Sequence, residues 1–282
     1  LWVHGGDQIP DAARAACQHR IMVGIREVAP AHLHTAHWRR PPQPDLSRAV
    51  APFTDVDVEM IYSASLTYYG CLRNWNNVLG LPPIPAYMGE SYYERQERFN
   101  PPGPWPAYAC RRQAYWSLLS GAGHVYGDER PKLVTHEELN TPGTLDMVRV
   151  KALFASLPWH SLVPDDAVAG YQVFRNDEGE RGTPGIDSAR AHLENDYVAA
   201  ACAWDGGEAT LGLAYVPPTG TATRTLRVAL DRFAAAPAVR WYNPYTGAWT
   251  NLGTFPNRGT RNFVTPGDNG SGSNDWVLYV AV

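Results

Sequence analysis

The chain has 282 residues, 44% of them hydrophobic, and a formal net charge of −4. Lysine and arginine are scattered singly, so the sequence lacks the basic face with which proteins neutralise nucleic-acid phosphates, and we expect no nucleic-acid partner. No apolar run approaches the length that crosses a bilayer, so we expect no membrane span. The length suits one barrel or two ordinary domains.

The first part of the chain alternates β-like runs with helical stretches, the pattern of βα units around a parallel sheet. Strands are predicted at Leu1–Gly6, His32–His37, Glu59–Ser63, Ala86–Gly89 and His124–Gly127. Helices are predicted at Ala12–Val28, Leu66–Leu79, Tyr108–Ser120 and Thr144–Leu157. These strands are too few to close an eight-stranded barrel. Because the sequence starts inside a strand-like run without an initiator Met, we expect the missing strands to precede Leu1.

The second part consists of β-like runs separated by Gly, Pro and Asp turns. Strands are predicted at Tyr197–Trp204, Thr210–Val216, Thr225–Leu230, Val239–Tyr242 and Trp276–Val282. We therefore predict two domains, residues 1–165 and residues 166–282, the second a small all-β sandwich. Its tryptophans could form a sugar-binding or peptide-binding platform, but packing in the core is the simpler explanation. These tryptophans are Trp204, Trp241, Trp249 and Trp276.

Two acids follow glycines at predicted strand ends. Asp7 ends the first strand and Glu90 ends the fourth, and barrel active sites are built at C-terminal strand ends. Glycosidic bond cleavage needs such a pair, because one acid protonates the leaving oxygen and one carboxylate attacks or activates water. The pattern alone also allows structural roles. Asp7 could cap the helix beginning near Ala12, and Glu90 could pair with an arginine such as Arg95.

Histidines cluster around the second predicted strand. Strand alternation puts Thr35 and His37 on one face and His32 and His34 on the other, so His37 is placed to reach a substrate. His32 and His34 look like half of a metal site, but no further ligand stands at a matching spacing. The four cysteines are far apart and form no C-x-x-C pair, which predicts buried thiols. We expect neither a metal nor a cofactor.

Four segments, taken together, point to a family. They are Leu1–Asp7, Thr35–His37, Met88–Glu94 and Arg111–Gly127, in matching order and spacing. Together they resemble the apiosidase-like glycoside hydrolases, with Arg111–Gly127 as the most specific block. That family usually continues into a β domain named for collagen binding, which is similar to Arg240–Gly247 and Asp275–Leu278 here. The resemblance covers essentially the whole chain.

The resemblance implies a (β/α)8 TIM barrel whose fourth strand ends in the acid/base and whose seventh ends in the nucleophile. On that mapping Asp7 is the acid/base and Glu90 the nucleophile. The predicted strands become strands four to eight of a barrel whose front is missing. The resemblance also implies cleavage of plant-type or other complex glycans by a retaining mechanism, and a secreted or periplasmic location. Substrate contacts are expected from His37, Tyr93, Glu94, Arg112 and Tyr126.

The sequence departs from the family pattern at two places. Tyr62–Ser65 stands where the family tends to show Gln and then His, and Asp128–Pro131 lacks an expected nearby Trp. Other interpretations stay open. Arg112 could form a structural ion pair. The protein could be a non-catalytic glycan-binding or matrix-binding protein with a relic barrel, or a metal-dependent hydrolase. A barrel without its front would expose sheet edges, so we also expect self-association.

Overall fold

A computed structural model describes residues 1–6, 8–38, 46–63, 66–99, 102–129, 139–165, 173–175, 193–218 and 223–282. Asp7, the predicted acid/base, lies outside the described residues. So do Ala64, Ser65, Arg130 and Pro131, which belong to the two departures from the family pattern. None of the helices within the described ranges has the length and apolar content that crossing a membrane requires.

Short parallel strands form the framework of the N-terminal part. Its strands are β1 (Trp2–Gly6), β2 (His34–Trp38), β3 (Glu59–Tyr62), β4 (Ala86–Glu90), β5 (Glu97–Phe99), β6 (Pro102–Pro104) and β7 (Gly123–His124). β1 pairs with β2 in parallel, β3, β4 and β7 form a parallel sheet in that order, and β5 and β6 form an antiparallel hairpin. The amide of Asp57 donates to the His34 carbonyl at 2.9 Å, which joins β2 to the start of β3. The first four strands predicted for this part are confirmed to within two residues at each end, whereas β7 shares only His124 with the predicted strand His124–Gly127.

Helices connect these strands. They are α1 (Ala12–Val28), α2 (Thr67–Trp75), α3 (Ala107–Leu118) and α4 (Pro142–Ala155). The Asp11 carboxylate caps α1 by accepting a hydrogen bond from the Arg14 amide at 2.8 Å. The Thr141 hydroxyl caps α4 in the same way, and Pro142 occupies the first helical position, where its missing N–H costs nothing. The predicted helices are confirmed. α1 has the predicted bounds, and α2, α3 and α4 end two to four residues before their predicted ends.

The C-terminal part is a β sandwich. Its strands are β8 (Val163–Pro164), β9 (Phe174–Arg175), β10 (Ala199–Asp205), β11 (Glu208–Val216), β12 (Thr225–Ala229), β13 (Ala238–Tyr242), β14 (Trp249–Thr254), β15 (Thr260–Val264) and β16 (Trp276–Ala281). One sheet has the order β14-β13-β16-β11-β10-β8, and the other has the order β15-β12-β9. Trp241 and Trp276 lie in the core between them, as predicted, whereas Trp249 is 38% exposed. The fold is therefore mixed α/β followed by a sheet-rich part.

The larger sheet also packs against the helices of the N-terminal part. A single cluster of buried side chains combines residues of α2, α3 and α4 with residues of β10, β11, β13 and β16. Within it the Trp116 indole donates to the Tyr197 carbonyl at 2.8 Å, and the Tyr115 and Tyr215 rings stack with centroids 4.7 Å apart. Tyr115 and Trp116 are thus core residues, as their helical spacing predicted. The two parts of the chain share one hydrophobic core.

A buried ion network crosses the same interface. The Arg111 guanidinium of α3 donates to both Asp275 carboxylate oxygens, at 2.9 and 2.8 Å, and also to Asp146 of α4. Tyr215 donates to Asp275 as well, at 2.9 Å. Burial alone would raise the pKa of the Asp275 carboxyl, but the Arg111 charge and these hydrogen bonds outweigh burial and hold that pKa below its ordinary value. The network therefore fixes α3 and α4 against β16.

Apolar side chains are exposed at both margins of the N-terminal part. Near β1 and α1, Val3 is 54% exposed and Val28 is 84% exposed. Near β7 and α4, Val148 is 60% exposed and Trp159 is 49% exposed, and Trp159 borders an apolar cavity of about 500 Å³ between α3, β7 and α4. Side chains of this size are normally buried against a neighbouring element or partner.

Candidate active site

Glu90 is the last residue of β4, where the parallel strands end. Its side chain is 22% exposed, and its Oε2 lies 3.2 Å from the Nε2 of His37 on β2. The hydroxyls of Tyr62 at the end of β3 and Tyr93 in the following loop also hydrogen-bond to the Glu90 carboxylate. Three neighbouring side chains thus converge on one accessible carboxylate.

These contacts set the charge of Glu90. Burial would raise the pKa of the Glu90 carboxyl, but hydrogen bonds from His37, Tyr93 and Tyr62, together with the His37 charge, lower the pKa below its ordinary value. Hydrogen bonds to a carboxylate favour its ionised form. Glu90 is therefore an ionised, oriented carboxylate, which is the state a nucleophile or electrostatic stabiliser requires.

Tyr62 is the site residue that sequence reasoning missed. The sequence predicted only that Tyr62 replaces other residue types found in the family. In the structure its hydroxyl reaches Glu90, and its ring centroid lies 5.3 Å from that of His37. Tyr62 lies at the C-terminal end of a strand, as Glu90 does, and applying that same criterion to β3 would have identified Tyr62.

Other residues perform the structural roles that the sequence also allowed for Asp7 and Glu90. Asp11 caps α1, so the capping role considered for Asp7 is already taken. Arg95 forms a bidentate ion pair with Asp128, at 3.0 and 2.6 Å, and does not pair with Glu90. β1 ends at Gly6 beside Trp38 of β2, so Asp7 follows directly on a strand end next to the strand that carries His37.

The glycines before the acids serve strand packing. Gly5 has φ +87°, and a Cβ on it would lie 2.4 Å from the His37 carbonyl oxygen and closer still to the Trp38 ring. A Cβ on Gly89 would lie 2.2 Å from Met60 Cε. The atoms for which Gly5 and Gly89 make room therefore belong to adjacent strands.

Glu94 and Tyr126 contact each other. Glu94 is 3% exposed, and its carboxylate accepts hydrogen bonds from the Tyr126 hydroxyl, from Thr141 at 2.5 Å and from the Gly143 amide at 3.0 Å. The carboxylate thus accepts hydrogen bonds from donors at the amino end of α4 that have no partner within the helix. These partners favour a structural role for Glu94, whose hydrogen bond fixes the partly exposed Tyr126, and its predicted substrate contact stays a prediction.

Arg112 also has a structural role. It is fully buried, it donates to the carbonyl of Asn195 at 3.1 Å, and its guanidinium lies 4.8 Å from the centre of the Trp116 ring. These partners belong to the interface with the β sandwich. The contacts favour a structural role for Arg112, and its predicted substrate contact stays a prediction.

The histidines proposed as half of a metal site have separate partners. His32 precedes β2 and accepts a hydrogen bond from the Trp2 indole at 3.0 Å. His34 is buried, and its Nδ1 lies 2.9 Å from the His4 Nε2. Burial, together with the neighbouring imidazole, lowers the pKa of His4. The predicted buried thiols are found at three cysteines, whereas Cys17 is exposed.

Comparison with known proteins identifies the family. The sequence model described as "Apiosidase-like, catalytic domain" matches residues 1–161. The chain belongs to the apiosidase-like family. A second model, "Putative collagen-binding domain of a collagenase", matches residues 193–281 of this apiosidase-like chain. No curated protein matches the sequence. The resemblance seen in the sequence is therefore confirmed.

Two solved structures share the apiosidase-like fold. One is named a glycoside hydrolase, with a TM-score of 0.72 and 24% identity, covering 100% of this chain and 64% of that chain. The other is named a glycoside hydrolase family 5 protein from Bacteroides vulgatus ATCC 8482, with a TM-score of 0.72 and 23% identity, covering 100% and 62%. The apiosidase-like chain therefore spans less than two thirds of the length of either structure.

Proposed function

We propose that the protein is a retaining glycosidase that cleaves O-glycosidic bonds of complex, plant-type glycans. The observation that carries the proposal is the Glu90 carboxylate at the end of β4, accessible to solvent and held in its ionised form by His37, Tyr62 and Tyr93. Family membership supports glycan hydrolysis as the chemistry. In this proposal β1, β2, β3, β4 and β7 correspond to strands four to eight of a (β/α)8 barrel.

The mechanism is double displacement. The Glu90 carboxylate attacks the anomeric carbon while Asp7 gives a proton to the departing glycosidic oxygen, so that a glycosyl ester forms on Glu90. Asp7, now ionised, removes a proton from water as the water attacks the same carbon, and the Glu90 carboxylate leaves. His37, Tyr62 and Tyr93 orient the nucleophile and keep it ionised. Asp7 is proposed as the acid/base because it follows Gly6, the last residue of β1, in the sequence and because the family resemblance implies that role.

The test uses aryl glycosides and two variants. Glu90→Gln is expected to abolish hydrolysis, and a 2-fluoro glycoside should add one sugar mass to Glu90 in the parent protein. Asp7→Ala should retain release of a good leaving group, and azide should restore turnover because it attacks without base assistance. Full activity of Glu90→Gln, or a product of inverted anomeric configuration, would contradict the mechanism.

A glycan-binding protein without turnover is the second candidate. The exposed margins of the N-terminal part favour it, because a site open at its sides excludes water poorly. Glycan binding by the parent protein, with no release of reducing sugar over days and no label on Glu90, would establish this alternative. We also infer a secreted or periplasmic location from the family resemblance.

A further inference from the structure

A cavity of about 280 Å³ lies between the amino ends of α3 and α4 and two loops of the β sandwich. Tyr108 and Pro142 line it from the helices, and Tyr245 and Ser271 line it from the sandwich. It is distinct from the Glu90 site, and both parts of the chain line it, the N-terminal part with most of the residues. Cavities at such junctions are common places for small ligands.

The floor of the cavity is polar, and its charges are paired. Arg111 and Asp146 line it, each about 1% exposed, and they form an ion pair. Arg111 also pairs with Asp275 at 2.8 Å, and Asp146 pairs with Arg149 at 2.9 Å. The positive charges of two arginines therefore equal the negative charges of two aspartates. A ligand that carries a net charge would find no unmatched counter-charge among these groups, whereas an uncharged polar ligand costs the network nothing.

The sandwich wall is rigid. The Asn243 side chain accepts hydrogen bonds from the amides of Tyr245, at 2.9 Å, and Thr246, at 3.0 Å, and it donates to the Asn269 carbonyl at 2.8 Å. Asn269 in turn donates to Asp275 at 2.6 Å. The backbone of Tyr245 is thus fixed before any ligand arrives, and the Arg149 guanidinium lies 5.5 Å from the centre of its ring. This order reduces the ordering cost of binding.

The walls offer aromatic faces and hydroxyl groups together. Tyr108 and Tyr245 are both partly exposed, and no described residue hydrogen-bonds to either phenolic hydroxyl. An aromatic ring accepts the C–H face of a sugar, and the phenolic hydroxyls of the walls can bond its hydroxyls. A purely apolar ligand would leave these hydroxyls without partners.

We propose that this cavity binds one uncharged sugar residue of a glycan chain, as a second carbohydrate site shared by the helices and the β sandwich. A sugar between Tyr108 and Tyr245 would rest on the Arg111–Asp146 pair. The proposal does not depend on catalysis at Glu90.

The cavity is connected to the Glu90 loop. Glu94, four residues after Glu90 in the chain, binds the amide of Gly143, and Gly143 follows Pro142 in the cavity wall. Helices in such folds begin at the end where the parallel strands finish. A glycan held in the cavity therefore lies at the same end of the protein as Glu90.

Affinity gel electrophoresis of the 282-residue protein tests the site. The gels contain xyloglucan, galactomannan or polygalacturonate, and the protein carries Glu90→Gln so that no polysaccharide is consumed. We expect at least one of the two neutral polymers to retard the protein. Tyr245→Ala should weaken that binding by about tenfold, the effect of losing about 1.4 kcal/mol of contact.

Two further variants make the result decisive. Ser271→Trp adds bulk at an exposed position of the cavity wall without removing buried packing, and it should also abolish retardation. Trp249→Ala removes an exposed aromatic ring of the sandwich outside the cavity and should bind like the parent. The proposal fails if neither neutral polymer binds, if polygalacturonate binds more tightly, if both cavity variants bind normally, or if Trp249→Ala loses as much as Tyr245→Ala.

Discussion

Replacing Asp275 by Ala removes the acceptor at the centre of the interface between helices and sandwich. The Asp275 side chain accepts five hydrogen bonds from described residues, two of them from Arg111 and the others from Tyr215, Asn269 and Ser273. Breaking a buried ion pair by deleting one partner costs about 3–5 kcal/mol. Asp146 still pairs with Arg111 in the variant, so we expect a loss near the lower limit, about 3 kcal/mol.

Urea denaturation followed by tryptophan fluorescence and far-ultraviolet circular dichroism measures this loss. Asp268→Ala is the matched control, because Asp268 lies in the same loop but is exposed, and among the described residues only the Gly270 amide donates a hydrogen bond to its side chain. We expect the control to change the free energy of unfolding by less than about 0.5 kcal/mol. An Asp275→Ala loss no larger than that of the control would refute the argument that this network holds the two parts of the chain together.

The same carboxylate predicts a pH dependence. The pKa of Asp275 is lower in the folded protein than its ordinary value, so its contribution to stability is present above the unfolded pKa of about 3.9 and disappears as pH falls through the folded pKa. The parent protein should therefore lose stability below about pH 4, and Asp275→Asn should lose less over that range. If the parent protein and Asp275→Asn lost the same stability below about pH 4, the predicted stabilisation by the ionised Asp275 carboxylate would be contradicted.

Three further predictions concern the site and the exposed margins. Tyr93→Phe removes a hydrogen bond that lowers the Glu90 pKa, so the acidic limb of the pH–rate profile on an aryl glycoside should move to higher pH. Arg112→Met should lower the free energy of unfolding by about 2 kcal/mol, because it removes the buried hydrogen bond from Arg112 to the Asn195 carbonyl, while KM stays unchanged. The exposed apolar margins should make the protein self-associate, and Val148→Lys should shift the mass measured by light scattering towards the monomer.

Several strands and helices around the site could be predicted because residues that favour their ends are visible in the sequence. Asp11 and Thr141 stand before α1 and α4 as capping residues, and glycines precede both acids. β14 was missed because its residues are all exposed. An edge strand that buries neither face has no alternation to detect.

The roles of Arg112 and Glu94 could not be predicted from the sequence, because their partners come from distant segments. α3 is buried at every position from Ala109 to Ser117, since the strands cover one side and the sandwich covers the other. Helical periodicity cannot show which buried face meets a substrate. The Glu94 carboxylate is satisfied by residues of α4 that follow it by nearly 50 positions, and no local pattern records that contact.

The common core of the helices and the larger sheet has a consequence for how an appended domain can work. A binding domain on a flexible tether raises the effective concentration of its ligand at a neighbouring site. The size of that effect depends on the length of the tether. Here Tyr115 stacks on Tyr215 and Arg111 bonds Asp275, so the sandwich has no such freedom. Any partner bound by the sandwich therefore lies at a fixed distance and orientation relative to the ends of the parallel strands.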